Sequence, residues 1–171
     1  MISRISFLYK RFFWSAEKFA RKQGVKIGKN CWIATRHFGS EPYLIEIGDH
    51  VQITDGVKFF THGGAWIFRD RYPDLDVFGK ISIGNNVYIG NNVLLMPGIT
   101  IGSNVVIAAG AVVTKSFPDN VVIGSNPAKI IGTTDKLLES LLKKNMKVKG
   151  FSFDQKKAIL LKSDDSKFIK K

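Results

Sequence analysis

The 171-residue sequence predicts a mainly β protein, a parallel β-helix with an N-terminal helix before it and a C-terminal helical extension after it. Three observations predict this. From Ile81 to Val113 one lane of side chains (Ile83, Ile89, Leu95, Ile101, Ile107, Val113) and a second (Ile81, Val87, Val93, Ile99, Val105, Ala111) each recur every six residues. Gly and Asn fall between the strand-like triplets, as at Gly90, Asn91 and Asn92. Earlier in the chain Ile47, Ile53 and Phe59, with Val51 and Val57 as companions, keep the same remainder modulo six as Ile83.

A six-residue period belongs to neither a helix nor a plain strand, so the backbone must return to one environment every six positions. Val87 and Ile89 flank Tyr88, which is strand alternation with two side chains inward and one outward. Gly90, Asn91 and Asn92 then make a corner, because Gly and Asn adopt left-handed backbone angles at little cost. Three such hexads close a triangular coil of about 18 residues, and coils stacked about 4.8 Å apart pair each lane with itself. A meander of short strands would not hold two lanes over six consecutive hexads.

In chain order, Met1 to Gln23 carry Ile2, Ile5, Leu8, Tyr9, Phe12, Phe13, Ala16, Phe19 and Ala20 at helical spacing among basic residues. Segment 1–24 reads as an amphipathic helix that covers the first coil and stops at Gly24; its basic face also suits an acidic membrane surface. Charges interrupt the apolar stretch and no small-residue cleavage site follows, so a cleavable signal peptide is not expected.

The β-helix is expected over 25–132. Ile27 to Ala34 open the first coil, with Cys31 on an inward lane. Thr35 to Leu44, including Glu41 before Pro42, leave the lane as a loop. Residues 63–76 form a longer, charged and aromatic loop thrown out from a corner, and loops of that length tend to be functional. Val77 fits the lane again. Pro118 and Asp119 turn the chain before Val121 and Ile123, and the solenoid is expected to end near Gly132. In segment 133–171, Leu137, Leu138, Leu141 and Leu142 predict a helix capped by Thr134, then a second short helix over Phe151 to Leu161, then a Lys-rich tail.

The formal charge of +12 favours anionic partners such as phosphorylated cofactors, nucleic acid or a membrane surface. The basic residues are not interleaved with an aromatic platform, so no nucleic acid is expected. No apolar run approaches the roughly 18 residues that cross a bilayer. The single cysteine, Cys31, excludes an intramolecular disulfide and fits a reducing compartment. The expected location is therefore cytoplasmic, with peripheral contact at the inner face of the membrane through the terminal helices.

Of three histidines, His50 occupies a corner between Gly48 and Val51, and His37 lies where the lane breaks. His62 follows Phe59, Phe60 and Thr61 at a corner, faces outward by the lane rule, and opens the long loop. Position alone leaves it open to a structural or a chemical role.

The repeat, the strand KISIGNNVYIGNNV and the THGG of Thr61 to Gly64 together resemble the hexapeptide-repeat acyltransferases, close to the sugar, capsule and lipopolysaccharide O-acetyltransferases. The resemblance implies a left-handed parallel β-helix, a homotrimer, acetyl-CoA as co-substrate with no metal, and His62 as the catalytic base. The pattern departs at Gly63, where relatives carry an acidic residue, which leaves the partner that orients His62 open among Asp55, Asp70, Asp74 and Asp76. The resemblance also implies that the pantetheine arm runs between two subunits along Gly90, Asn91, Ala108, Ala109 and Gly110. It places Tyr88 at the acetyl end and Lys115 and Lys129 near the phosphates. Trp66, Arg69 and Tyr72 of the loop are candidates for shaping the pocket of a saccharide or nucleotide-sugar acceptor.

The chemistry accounts for a histidine. An alcohol attacks a thioester poorly, and a base that removes its proton as the bond forms contributes about 10²- to 10⁴-fold, for which neutral imidazole is suited. Backbone amides at a corner would donate to the developing oxyanion, and holding both substrates together supplies further acceleration without a covalent intermediate. The expected activity is acetyl transfer to a sugar hydroxyl. Three alternatives stand beside it: N-acetylation of an amino sugar, a zinc hydratase of the same fold, and a non-catalytic basic binding protein. The hydratase needs three converging histidines, and His37, His50 and His62 lack its paired spacing.

Overall fold

The computed structural model describes residues 14–170, so the helical spacing expected over Met1 to Phe13 lies outside the described residues. The chain divides into two compact units after Thr134. In the first unit, helix α1 (Ala16–Gln23) begins where the Ser15 side chain accepts the Lys18 amide at 3.2 Å. It ends at Gly24, whose φ of 103° is the left-handed turn that glycine tolerates. Ala16, Phe19 and Ala20 are buried on its inner face.

The strands form three faces, parallel throughout except at β13. Sheet I holds β1 (Lys26–Ile27), β3 (Ile45–Ile47), β6 (Ile81–Ile83) and β9 (Thr100–Ile101). Sheet II holds β2 (Trp32–Ile33), β4 (Gln52–Ile53), β7 (Val87–Ile89), β10 (Val105–Ile107), β12 (Val121–Gly124) and β13 (Lys129–Thr133). Sheet III holds β5 (Lys58–Phe59), β8 (Leu94–Leu95) and β11 (Val112–Val113).

Each strand pairs with its lane equivalent in the next coil: Ile83 with Ile101, Ile89 with Ile107, Leu95 with Val113. Every lane residue from Ile81 to Val113 is buried, and this apolar column is the core. Phe38 extends it, stacking on Phe59 at 5.1 Å. Cys31 is half-buried against the same core.

The corner between sheets I and II carries a side-chain ladder. His50 Nδ1 lies 2.9 Å from Asn86 Oδ1, Asn86 donates to Asn104 at 2.8 Å, and Asn104 donates to Asn120 at 3.0 Å. All four have positive φ, between 54° and 62°. His50 is thus a turn residue tied into the solenoid.

One expectation is corrected. Ile47 pairs with Ile83, twice the spacing of Ile83 and Ile101, so the loop before Ile81 happens to be one coil long. Val77 keeps the arithmetic of the lane without its burial: it is 55% exposed, and the lane resumes only at Ile81. At the end of the solenoid β13 turns back and pairs antiparallel with β12.

In the second unit, α2 (Thr134–Lys143) includes Thr134 as its first residue, where a cap was expected. Helix α3 (Phe153–Lys162) starts with a capping box between Ser152 and Gln155.

Candidate active site

The coil that ends in β5 runs through Phe60 into buried Thr61, and the long loop leaves there. Its neck is closed by pairing: the Gly79 amide donates to the Thr61 carbonyl at 2.8 Å, and His62 bridges Phe78 in antiparallel fashion. The two rings lie 5.8 Å apart. His62 therefore sits on a braced stem, with its side chain 40% exposed.

The preceding coil breaks at the same edge, between sheets III and I, where a 3-10 turn spans Pro42–Leu44. It brings Glu41 to the stem. The Thr61 hydroxyl donates to Glu41 Oε2 at 2.6 Å, and His62 Nδ1 lies 2.7 Å from that same oxygen. The Thr61 hydroxyl bond is the largest influence on the Glu41 carboxyl and, together with the bond and charge of His62, holds it below its ordinary range although burial pushes the other way. An ionised carboxylate can only accept, so the proton between them is on Nδ1, and a neutral imidazole held in this way has its lone pair on Nε2.

The carboxylate that meets His62 is thus Glu41 and none of Asp55, Asp70, Asp74 or Asp76. One signal in the sequence pointed to it: the interruption at 35–44 takes in the third strand position of the first coil and that at 63–76 follows the third strand of the next, so stacking puts them on one edge.

Within the loop a 3-10 turn spans Ala65–Phe68. Trp66 and Arg69 join His62 and Asp76 around a cavity of about 210 Å³. Arg69 and Asp76 are 3.8 Å apart and half exposed, a weak pair. Tyr72 lies outside that lining, 5.6 Å from the Arg71 guanidinium.

The residues expected to hold the acyl donor fall elsewhere on the solenoid. Tyr88 points outward from sheet II, between Gln52 and Val106, and is 39% exposed. Gly90, Asn91, Ala108, Ala109 and Gly110 form the corner between sheets II and III, where the Gly110 amide donates to the Asn91 carbonyl at 2.8 Å. Gly90 is small for an internal reason, since an added Cβ would come within 2.6 Å of the Ala109 nitrogen. At Gly110 an added Cβ would meet nothing within 4 Å, so that corner is open.

Lys115 lies on the same edge as His62, two coils further on, with its amine 5.7 Å from the Phe117 ring centre. Lys129 starts β13 and is exposed. Neither cavity lined by His62 includes any of these donor residues.

His37, which the sequence left without a partner, bridges Lys58 and shares a cavity of about 470 Å³ with His62. The three histidines do not converge, and among the described residues no group of three His, Cys, Asp or Glu is gathered for a metal.

The family description "Bacterial transferase hexapeptide (six repeats)" matches residues 80–115. Protein CapG of Staphylococcus aureus is 51% identical over 150 residues, 85% of this chain and 87% of that protein. The galactoside O-acetyltransferase of Escherichia coli is 35% identical over 114 residues, 66% of this chain and 56% of its own length. A solved hexapeptide-repeat acetyltransferase of Vibrio cholerae, complexed with acetyl coenzyme A, superposes with a TM-score of 0.59 at 32% identity, over 65% of this chain and 61% of that one. The fold is the left-handed parallel β-helix of those acetyltransferases.

Proposed function

Because the chain belongs to the bacterial hexapeptide-repeat acyltransferases, we propose that it transfers acetyl from acetyl-CoA to a hydroxyl of a saccharide or nucleotide-sugar acceptor, with His62 as general base. The observation that carries this reading is the Glu41–His62 pair at a braced loop stem beside two cavities. Nε2 of His62 takes the hydroxyl proton as the oxygen attacks the acetyl carbonyl, and returns it to the sulfur as the carbon–sulfur bond breaks. Glu41 fixes the tautomer and offsets the positive charge that the ring acquires in between. An alcohol needs that base at the moment of attack.

The open corner at Gly110 and the outward Tyr88 suit a thin pantetheine arm, and Lys115 and Lys129 are exposed cations for the phosphates. Tyr88 and the Gly110 corner lie away from the edge that carries His62, and Lys115 lies on that edge two coils further on, which supports a homotrimer whose donor cleft is completed by a neighbouring subunit. Exposed Trp66, Ile67 and Phe68 supply apolar surface for such a contact. No helix among the described residues is long and apolar enough to cross a membrane. Peripheral attachment is supported by exposed Leu138, Leu142, Phe153 and Leu161 set among lysines.

The test is His62→Ala. Acetyl transfer, followed by thiol release on paired hydroxyl and amino sugars, should fall about 10²- to 10⁴-fold while coenzyme A binding is retained. Undiminished turnover would overturn the mechanism.

A further inference from the structure

We propose that the larger cavity beside His62 selects an acceptor saccharide bearing an oxyanion, a phosphate or a carboxylate, which Arg36 and Lys58 hold. This rests on the acetyltransferase reading and names its substrate class. The cavity lies on the outer side of sheet III at the first two coils, with Phe19 of α1 on one wall and Thr61 and His62 at one end. Arg36, Lys58 and two imidazoles line it, and no Asp or Glu does. Glu41 is nearby but is engaged by Thr61 and His62.

Its two permanent cations are not neutralised from within. Neither Arg36 nor Lys58 forms an ion pair among the described residues. Arg36 is held rigidly, one terminal nitrogen donating to the Trp14 carbonyl at 2.6 Å and the guanidinium lying 5.7 Å from the Phe19 ring centre. Its other terminal nitrogen, Nη1, is buried with no hydrogen-bond partner among the described residues. Arg36 lines the cavity, and a planar guanidinium is matched to carboxylate and phosphate.

Lys58 and His62 are four residues apart, at most about 14 Å along the chain, a span that one hexose and its anionic substituent can bridge. The cations would then anchor the acceptor while a ring hydroxyl faces Nε2. Exposed Phe60 in the same lining offers an apolar face to the sugar ring.

The experiment is equilibrium binding by calorimetry on the full chain without acetyl donor, so that it does not depend on His62 acting as base. Three probes distinguish the source of the anion: a nucleoside-diphosphate hexosamine, a uronic-acid disaccharide and its neutral counterpart. The wild type should bind at least one anionic probe about tenfold or more tightly than the neutral one. Lys58→Gln, an outward-facing change that leaves the core intact, should remove that preference and leave coenzyme A affinity within about twofold. The proposal is overturned if the wild type shows no preference, if Lys58→Gln retains it, or if the variant loses coenzyme A in parallel, which would give the cavity to the donor. A failure of the base mechanism would show instead as full turnover in His62→Ala with the anion preference intact.

Discussion

Glu41 and His62, which are 21 positions apart in the chain and belong to successive coils, meet at 2.7 Å through one carboxylate oxygen that also accepts the Thr61 hydroxyl. The pairing exists because both loops leave the solenoid at the same edge. It predicts that Glu41→Gln lowers kcat about 10²-fold or more, since an amide neither fixes the Nδ1 proton nor compensates the imidazolium. The KM for acetyl-CoA should hardly move. Initial-rate kinetics on the folded variant check this, and wild-type kcat would exclude an orienting role.

The same carboxylate gives a pH prediction. Its folded pKa is lowered, so its contribution to stability is fully present above the unfolded value of about 4.3 and disappears as pH falls through the depressed folded value. Urea midpoints measured between about pH 5 and pH 3 should therefore fall less steeply in Glu41→Gln than in the wild type. Parallel curves would mean that the carboxylate titrates alike in both states.

Burial, not arithmetic, sets the cost of losing a lane residue. Ile89 is fully buried, and Ile89→Ala should cost about 2–5 kcal/mol; Val77 shares its remainder modulo six but is exposed, and Val77→Ala should stay within about 0.5 kcal/mol. Denaturant unfolding of both variants settles the contrast.

Asn104 is the middle rung of the corner ladder, with φ of 56° and side-chain bonds to Asn86 and Asn120. Asn104→Ala loses both bonds and strains the backbone, at about 2 kcal/mol; Asn104→Gly keeps the backbone relaxed and should cost about 1 kcal/mol. Equal losses in the two variants would show that the φ value carries no energy of its own.

Much of the fold was legible because a solenoid pairs each residue with its own lane equivalent, so a local six-residue pattern already encodes the long-range contacts. That holds from Ile45 to Val113. It failed at Val77, whose loop length imitates a coil, and at β13, where nothing in the lane pattern marks the antiparallel return.

The site divides in the same way. By itself the sequence determined the apolar column, the corners and the prominence of His62, all features of local spacing. Only the tertiary structure decided which carboxylate meets His62, that His37 and Lys58 share its cavity, and that the expected donor residues lie outside both cavities that His62 lines. The physical reason is that Glu41 and His62 stand at the interruptions of the repeat, where no period relates one residue to another, and only the stacking of two broken coils brings them together beside Lys58 of the regular strand β5.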